Sequence, residues 1–144
     1  MLDIENFDRK FEHIVNSEQW KNLESAFSEA EVVYIFGNGG NMGVADHAAI
    51  DISRLTDKNA QCPGSGVRAT SIIGDTNFED WFLTWLEMVS RGVDPSKCIV
   101  IGLSCSTTGL SSNSIVNALN WAIENGMKAS LFSAQPKEKL DKRI

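Results

Sequence analysis

Short apolar runs alternate with longer stretches of helical periodicity along most of this 144-residue chain. Strands of five to seven residues that alternate with helices of about a dozen indicate βαβ units and a parallel sheet. The near-continuous apolar character of the runs agrees, because helices cover both faces of a parallel sheet. We therefore predict an α/β fold, a three-layer doubly wound sandwich with a mostly parallel sheet and an N-terminal helical segment.

The predicted elements follow the apolar spacing and the turn residues. The predicted strands are residues 32–36, 67–73, 98–103 and 128–133. The predicted helices cover the first thirty residues, with a break at Asn16-Ser17, and then about 42–55, 78–89 and 112–124. Residues 57–66 are predicted to be a loop, with Pro63-Gly64 as its clearest turn signal. We divide the chain into an N-terminal helical segment (1–31) that makes oligomer contacts, one core domain (32–135) and a charged tail (136–144).

Two loops follow apolar runs and precede helices, and both are suited to hold a phosphate. The first runs from Gly37 to Gly43 and is rich in glycine, and the second runs from Ser104 to Ser112. A strand that turns into a helix leaves unpaired N–H groups at the positive end of the helix dipole, which binds anions. In a parallel sheet both loops leave from carboxyl ends, where ligands bind. We expect the two loops to converge on one ligand.

Each loop also has a simpler interpretation. The glycines of the first loop fit a dinucleotide fingerprint, a phosphate nest or a plain tight turn. The dinucleotide interpretation needs an acidic residue about 20 residues further on, whereas Asp75 lies 38 residues after Gly37. In the second loop, six of nine residues are Ser or Thr, which is more than helix capping requires. These hydroxyls favour binding of a phosphate or a phosphosugar.

Composition and charge restrict the class of protein. The net charge is −6 and the basic residues form no cluster outside the C-terminal tail, so nucleic acid is not expected as the main ligand. No apolar run is long enough to span a membrane, and the N-terminus lacks the features of a secretory signal. The cysteines are odd in number and form no CxxC pair, which fits reduced thiols. A cytoplasmic protein is the expectation.

The two loops together resemble the SIS (sugar isomerase) domain, and within it the phosphoheptose isomerase group. The first family motif, Gly-Asn-Gly-Gly-Ser followed by a helix with His and Glu, is similar to residues 37–41 with His47 and Asp51. The second, Ser-Thr-Ser-Gly-Asn-Ser, is similar to residues 104–111 with one extra residue. The resemblance extends over residues 32–133 and implies a flavodoxin-like SIS fold.

The resemblance implies a sugar-phosphate isomerase that acts on a ketose 7-phosphate such as sedoheptulose 7-phosphate. The catalytic residues would be Asp51, as the base, and His47. The substrate-binding residues would be Asn38, Gly39, Gly40, Asn41, Asp75, Ser104, Ser106, Thr107, Thr108 and Ser111. It further implies a homodimer or homotetramer with sites at subunit interfaces.

Differences from the family pattern keep two alternatives open. Asp51 is one methylene shorter than the family's Glu, and no histidine follows Ser133 to match the family's C-terminal His. His47 and Asp51 are spaced i, i+4, which suits a divalent metal such as Zn²⁺, an imidazole oriented by a carboxylate, or a surface pair. The alternatives are a non-catalytic SIS module that senses a sugar phosphate or scaffolds partners, and a small nucleotide-binding domain.

Overall fold

The computed structural model describes residues 6–105, 109–134 and 139–144 of the chain. Within those ranges the polypeptide forms helices and strands in alternation. The helices are α1 (Phe7–Val15), α2 (Glu18–Glu29), α3 (Gly40–Leu55), α4 (Gly66–Asp75), α5 (Trp81–Val89) and α6 (Leu110–Glu124). The strands are β1 (Val32–Gly37), β2 (Asn59–Gln61), β3 (Cys98–Ser104) and β4 (Lys128–Ser133). A 3₁₀ turn, Pro95–Lys97, leads into β3.

The strands form a parallel sheet in the order β2-β1-β3-β4. β1 and β3 are its central strands, and their register runs from Val32 opposite Cys98 to Gly37 opposite Leu103. The carboxyl ends of these two strands are therefore neighbours at one edge of the sheet. This register brings the loops after β1 and β3 together, as the predicted parallel sheet requires.

Two apolar clusters cover the two faces of the sheet. On one face α5 and α6 pack on β1 and β3, where Phe36 stacks on Phe82 at a centroid distance of 4.6 Å and Trp85 is fully buried. On the other face α2 and α3 pack on the opposite side chains of the same strands, including Val33 and Ile99. The alternation of side chains along each strand supplies both clusters. The predicted three-layer α/β fold is confirmed.

The prediction of a strand over residues 67–73 is wrong. This segment is helix α4, and the strand β2 lies earlier, at Asn59–Gln61, inside the predicted loop. The side chain of Ser65 caps the helix by accepting a hydrogen bond from the backbone N–H of Arg68. Ala69, Ile72 and Ile73 then face the core at helical spacing. A segment that contains Ile72 and Ile73 fits both the helical period and the strand period. The N-cap and the packing on the core favour the helix.

The remaining boundaries agree with the sequence to within a few residues. The break between α1 and α2 falls at Asn16 and Ser17, and Ser17 caps α2 through the N–H of Trp20. β4 has the predicted bounds. Within the described part of the chain, none of the helices combines the length and the apolar character needed to cross a membrane.

We predict that Ser65→Ala lowers the free energy of unfolding by about 1 kcal/mol, because the first turn of α4 loses its N-cap acceptor. The matched control is Ser71→Ala, which changes an exposed residue within the same helix and should be neutral or slightly stabilising. Urea denaturation followed by circular dichroism measures both. Equal stability of the two variants would contradict the capping role.

Candidate functional site

The glycine loop and the hydroxyl-rich loop meet at one cleft, as the sequence predicts. The cleft has a volume of about 420 Å³ and lies at the carboxyl ends of β1 and β3. It is lined by Asn38, Gly39, Gly40, Asn41, Val44, Leu103, Ser104, Cys105, Ser111 and Ile115. Four of the predicted substrate-binding residues from the first loop therefore share one cavity with two from the second.

Both helices that begin at this cleft have a glycine at the N-cap. Gly39 precedes α3 with φ 58°, and Gly109 precedes α6 with φ 87°. These left-handed conformations are readily available to glycine and unfavourable for other residues. Neither N-cap offers a side chain that accepts from the first helical turn. The N–H groups of Asn41, Met42 and Ser112 already donate to backbone oxygens within these turns. The helix dipoles and the earliest N–H groups at both helix starts are thus the groups suited to an anionic ligand.

A side-chain amide connects the two loops. Nδ2 of Asn38 donates to the backbone oxygen of Ser111 at 2.8 Å and to Oγ of Ser114 at 3.0 Å. A second contact joins Nδ2 of Asn41 to Sγ of Cys105 at 3.7 Å. Both contacts span the gap between the loop after β1 and the segment after β3. The separation of the two loops is therefore set by side chains that belong to the loops themselves.

The predicted hydroxyl cluster is described only in part. Ser104 is the buried last residue of β3, and Ser111 lies in the first turn of α6. Ser106, Thr107 and Thr108, the other predicted phosphate ligands, lie outside the described residues. Because the N-cap of α6 is Gly109, helix capping does not account for the hydroxyls at Ser111 and Ser112.

Asp75 is not among the residues that line the cleft. It is the exposed last residue of α4. The sequence predicted a strand over residues 67–73, which would have placed Asp75 at the carboxyl edge of the sheet. That segment is a helix. The residue that follows β2 is Cys62, so the acidic residue expected of a dinucleotide site is missing at that position.

His47 and Asp51 form a pair on the outer face of α3. Nε2 of His47 lies 3.2 Å from Oδ2 of Asp51, and Nη2 of Arg54 lies 3.1 Å from Oδ1 of Asp51. The side chains of His47 and Asp51 are 79% and 36% exposed. This pair lines a shallow recess that shares Gly40 and Val44 with the cleft. The predicted catalytic pair is thus beside the cleft and not inside it.

The two predicted metal ligands do not make a complete zinc site within this chain. Structural and catalytic zinc sites usually have three or four protein ligands. Across residues 6–105, 109–134 and 139–144, no three His, Cys, Asp or Glu side chains come close enough together to hold a metal ion. His47 and Asp51 alone supply two exposed donors, which does not fit a tightly held Zn²⁺.

We predict that iodoacetamide alkylates Cys105 faster than the other two cysteines at pH 8. Cys105 is exposed at the cleft, whereas burial raises the pKa of both Cys62 and Cys98 to about 11 and so lowers their thiolate fraction. A ligand in the cleft should slow the reaction of Cys105. Peptide mass spectrometry over a time course measures both rates. Equal labelling of Cys98 and Cys105 would contradict the prediction.

Sequence reasoning missed some residues of the site. Ser114 is fully buried and bonds to both Asn38 and the backbone oxygen of Ser111. In the sequence, the signal for Ser114 was its position one helical turn after Ser111. Val44 and Ile115 give the cleft apolar walls, and Cys105 contributes a thiol.

Comparisons with known proteins agree with the resemblance found in the sequence. No protein-family model matches the chain. The phosphoheptose isomerase of Thermodesulfovibrio yellowstonii is 27% identical over 128 residues, which cover 85% of this chain and 60% of that protein. The chain thus spans about 60% of the length of this curated relative.

The structure of phosphoheptose isomerase GmhA from Neisseria gonorrhoeae is similar with a TM-score of 0.70 and 18% sequence identity. The match covers 94% of this chain and 74% of that one. The likeness of the two structures concerns the fold. With the sequence match, it confirms the predicted resemblance to the phosphoheptose isomerase group and the SIS-type α/β fold.

Proposed function

We propose that this chain is a phosphosugar-binding protein of the SIS type that acts as an aldose–ketose isomerase on a ketose 7-phosphate such as sedoheptulose 7-phosphate. One observation carries the proposal. Two helix starts with glycine N-caps meet across a single cleft, joined by the amide of Asn38. Backbone N–H groups and hydroxyls can surround a phosphate ester without a positive side chain. The sequence match to a phosphoheptose isomerase supports the same ligand class.

In this proposal the hydroxyl-rich loop binds the phosphate and the glycine loop lines the opposite wall. Ser104, Ser106, Thr107, Thr108 and Ser111 would hold the phosphate oxygens. Asn38, Gly39, Gly40 and Asn41 would contact the sugar. Asp75 is retained as a predicted substrate-binding residue, and it lies at the exposed end of α4 and not at the cleft of this chain.

The position of the His47–Asp51 pair favours a long sugar over a short one. Gly40, Val44, His47 and Asp51 follow one another along the same face of α3. Since an α-helix rises 1.5 Å per residue, the Cα atoms of His47 and Asp51 lie about 10 Å and about 16 Å along the axis from Gly40. A ligand with its phosphate in the cleft would have to extend along α3 to place its carbonyl end near the pair. A seven-carbon chain suits this better than a triose phosphate.

The isomerisation would require a base that moves one proton between neighbouring carbons. Asp51 would remove the proton from C1 of the ketose and return it to C2 of the enediol, while a second proton passes from the C1 hydroxyl oxygen to the C2 oxygen. His47 would orient the Asp51 carboxylate through the contact between Nε2 and Oδ2. Arg54 would hold the other carboxylate oxygen. Both oxygens keep lone pairs, because an ionised carboxylate offers about four acceptor sites.

We further propose that the protein works as a homodimer or homotetramer in the cytoplasm. Phe7, Phe11 and Ile14 form an exposed apolar stripe on α1, each more than half exposed, and such stripes are unfavourable in water. Any Zn²⁺ would need ligands from a second subunit or from the substrate. Light scattering after size exclusion tests the assembly, and a monomeric mass at micromolar concentration would contradict it.

The proposed function is tested by incubating the purified chain with sedoheptulose 7-phosphate, with and without added Zn²⁺, and following the aldose product by NMR. Product that grows with enzyme concentration supports the isomerase. Binding is measured separately by thermal shift, since a ligand at 100 times its Kd adds about 2.7 kcal/mol to stability. Stabilisation by NAD or ATP, with none by sugar phosphates, would contradict the phosphosugar proposal.

The exposure of the His47–Asp51 pair favours a second candidate, a non-catalytic SIS module that senses a sugar phosphate. His47 is mostly exposed, and the described residues add no third metal donor beside it. Such a module would be stabilised by sedoheptulose 7-phosphate and form no product at any enzyme concentration. The combination of the two assays separates the candidates.

A further inference from the structure

The side-chain amide of Asn38 is committed to contacts within the protein. Its Nδ2 atom lies 2.8 Å from the backbone oxygen of Ser111 and 3.0 Å from Oγ of Ser114. A backbone oxygen only accepts, so the group that faces it must be the NH₂ end of the amide. The two acceptors are themselves only 3.1 Å apart, so they lie on the same side of the amide nitrogen. Nδ2 therefore donates across the gap between the loops, and Oδ1 is free of these two contacts.

The acceptors of this amide are themselves fixed in place. Ser114 is fully buried, and its hydroxyl donates to the backbone oxygen of Ser111 at 3.1 Å. Asn38, Ser111 and Ser114 therefore form a closed triangle of hydrogen bonds between the loop after β1 and the first turns of α6. Asn38 is separated from its two partners by 73 and 76 residues in the sequence.

We propose that Asn38 is a positioning residue, which fixes the separation of the two loops so that the phosphate site is formed before the ligand arrives. This inference rests on the proposed function and changes the role of Asn38 within it. Its amide nitrogen already donates within the protein, and its Oδ1 can accept a hydrogen bond from a sugar hydroxyl. In this role Asn38 holds the first turns of α3 and α6 at the separation that the phosphate needs.

The substitution Asn38→Asp tests the proposal because it keeps the shape of the side chain and removes both donors. The carboxylate would face the backbone oxygen of Ser111, and the two loops would separate. We expect kcat/KM for sedoheptulose 7-phosphate, and the affinity for it, to fall by about 100-fold, the loss that a displacement of about 1 Å can cause. Asn22→Asp makes the same chemical change at an exposed position of α2 and should change neither.

A second variant and a second measurement keep the test independent of folding and of ligand identity. Ser114→Ala removes one acceptor and leaves the bond to Ser111, so its loss of affinity should be smaller than that of Asn38→Asp. In ligand-free protein, amide hydrogen exchange in the first turns of α6 should accelerate by about tenfold in Asn38→Asp, which corresponds to about 1.4 kcal/mol, within the range for one or two lost hydrogen bonds.

The outcomes separate the inference from the proposed function. If the folded Asn38→Asp variant binds sedoheptulose 7-phosphate as tightly as the wild type, or if hydrogen exchange in the first turns of α6 is unchanged, the positioning role is wrong. If its thermal stability falls while the affinity stays constant, the triangle serves the fold alone and the inference is overturned. If the wild type binds no sugar phosphate, the proposed function fails, and faster exchange in the variant would still support the role of Asn38 in holding the loops.

Discussion

The Asp51→Asn variant is expected to lose its isomerase activity, with kcat lower by a factor of about 10²–10⁴, the usual contribution of a general base. His47 and Arg54 lie 3.2 and 3.1 Å from the two oxygens of the Asp51 carboxylate. The amide keeps the shape of the side chain, and its single oxygen can still accept a hydrogen bond from one of them. It cannot accept the substrate proton. Binding of sedoheptulose 7-phosphate should change much less than kcat. Steady-state kinetics and thermal shift measure the two effects separately.

Two further variants test whether the loss of activity is specific to the carboxylate of Asp51. Asp51→Glu restores a carboxylate with the longer side chain that the isomerase pattern has at this position, and we expect it to retain activity. Asp57→Asn removes an exposed carboxylate just beyond the end of α3 and should leave kcat unchanged. Full activity of Asp51→Asn would mean that another group is the base.

The Gly37→Ala variant is expected to disrupt the cleft and the sheet edge below it. A Cβ at Gly37 would lie 2.6 Å from Cβ of Asn41 and 2.8 Å from the backbone oxygen of Leu103. Leu103 is the register partner of Gly37 on β3, so the two central strands would have to separate at their carboxyl ends. Overpacking of this kind costs about 1–3 kcal/mol. The affinity for sugar phosphate should fall by about 100-fold as the loops are displaced.

The matched control is Gly74→Ala, which changes an exposed glycine in α4. A Cβ at Gly74 meets no atom within 4 Å, and alanine is favoured over glycine in a helix by about 0.5–1 kcal/mol. The control should therefore gain stability and keep its affinity. Chemical denaturation measures the stability of the two variants, and ligand titration measures their affinity. A Gly37→Ala variant with unchanged affinity would show that the close approach of the two strands is not required for binding.

The alternation of apolar runs with helical segments was sufficient to predict the parallel sheet. It located β1, β3 and β4 and the helices on both faces, because strand and helix periods are local properties of the sequence. Residues 67–73 were assigned to a strand and form most of α4. The N-cap at Ser65 and the packing of Ile72 make this segment a helix. The packing of Ile72 depends on contacts with residues that are distant in the sequence. The error also misplaced Asp75.

The candidate site likewise has features that the sequence predicted and features that it did not. That both loops lie on one edge follows from a parallel sheet and was predicted. The contacts of Asn38 with Ser111 and Ser114, the role of Gly109 as N-cap, and the exposure of His47 and Asp51 were not. The roles of the site residues in binding and catalysis stay predictions, including those of Ser106, Thr107 and Thr108, and so does the division of the chain at residues 31 and 135.

Local sequence patterns were sufficient to predict the parallel sheet, most of its elements and the edge at which a ligand would bind, because helix and strand periods are properties of neighbouring residues. They did not predict which groups meet across the cleft, since a distance between atoms more than 70 residues apart depends on how whole elements pack. The amide of Asn38 is the clearest case. Its sequence context predicted a substrate-binding residue, and in the structure its Nδ2 donates to two groups of the protein.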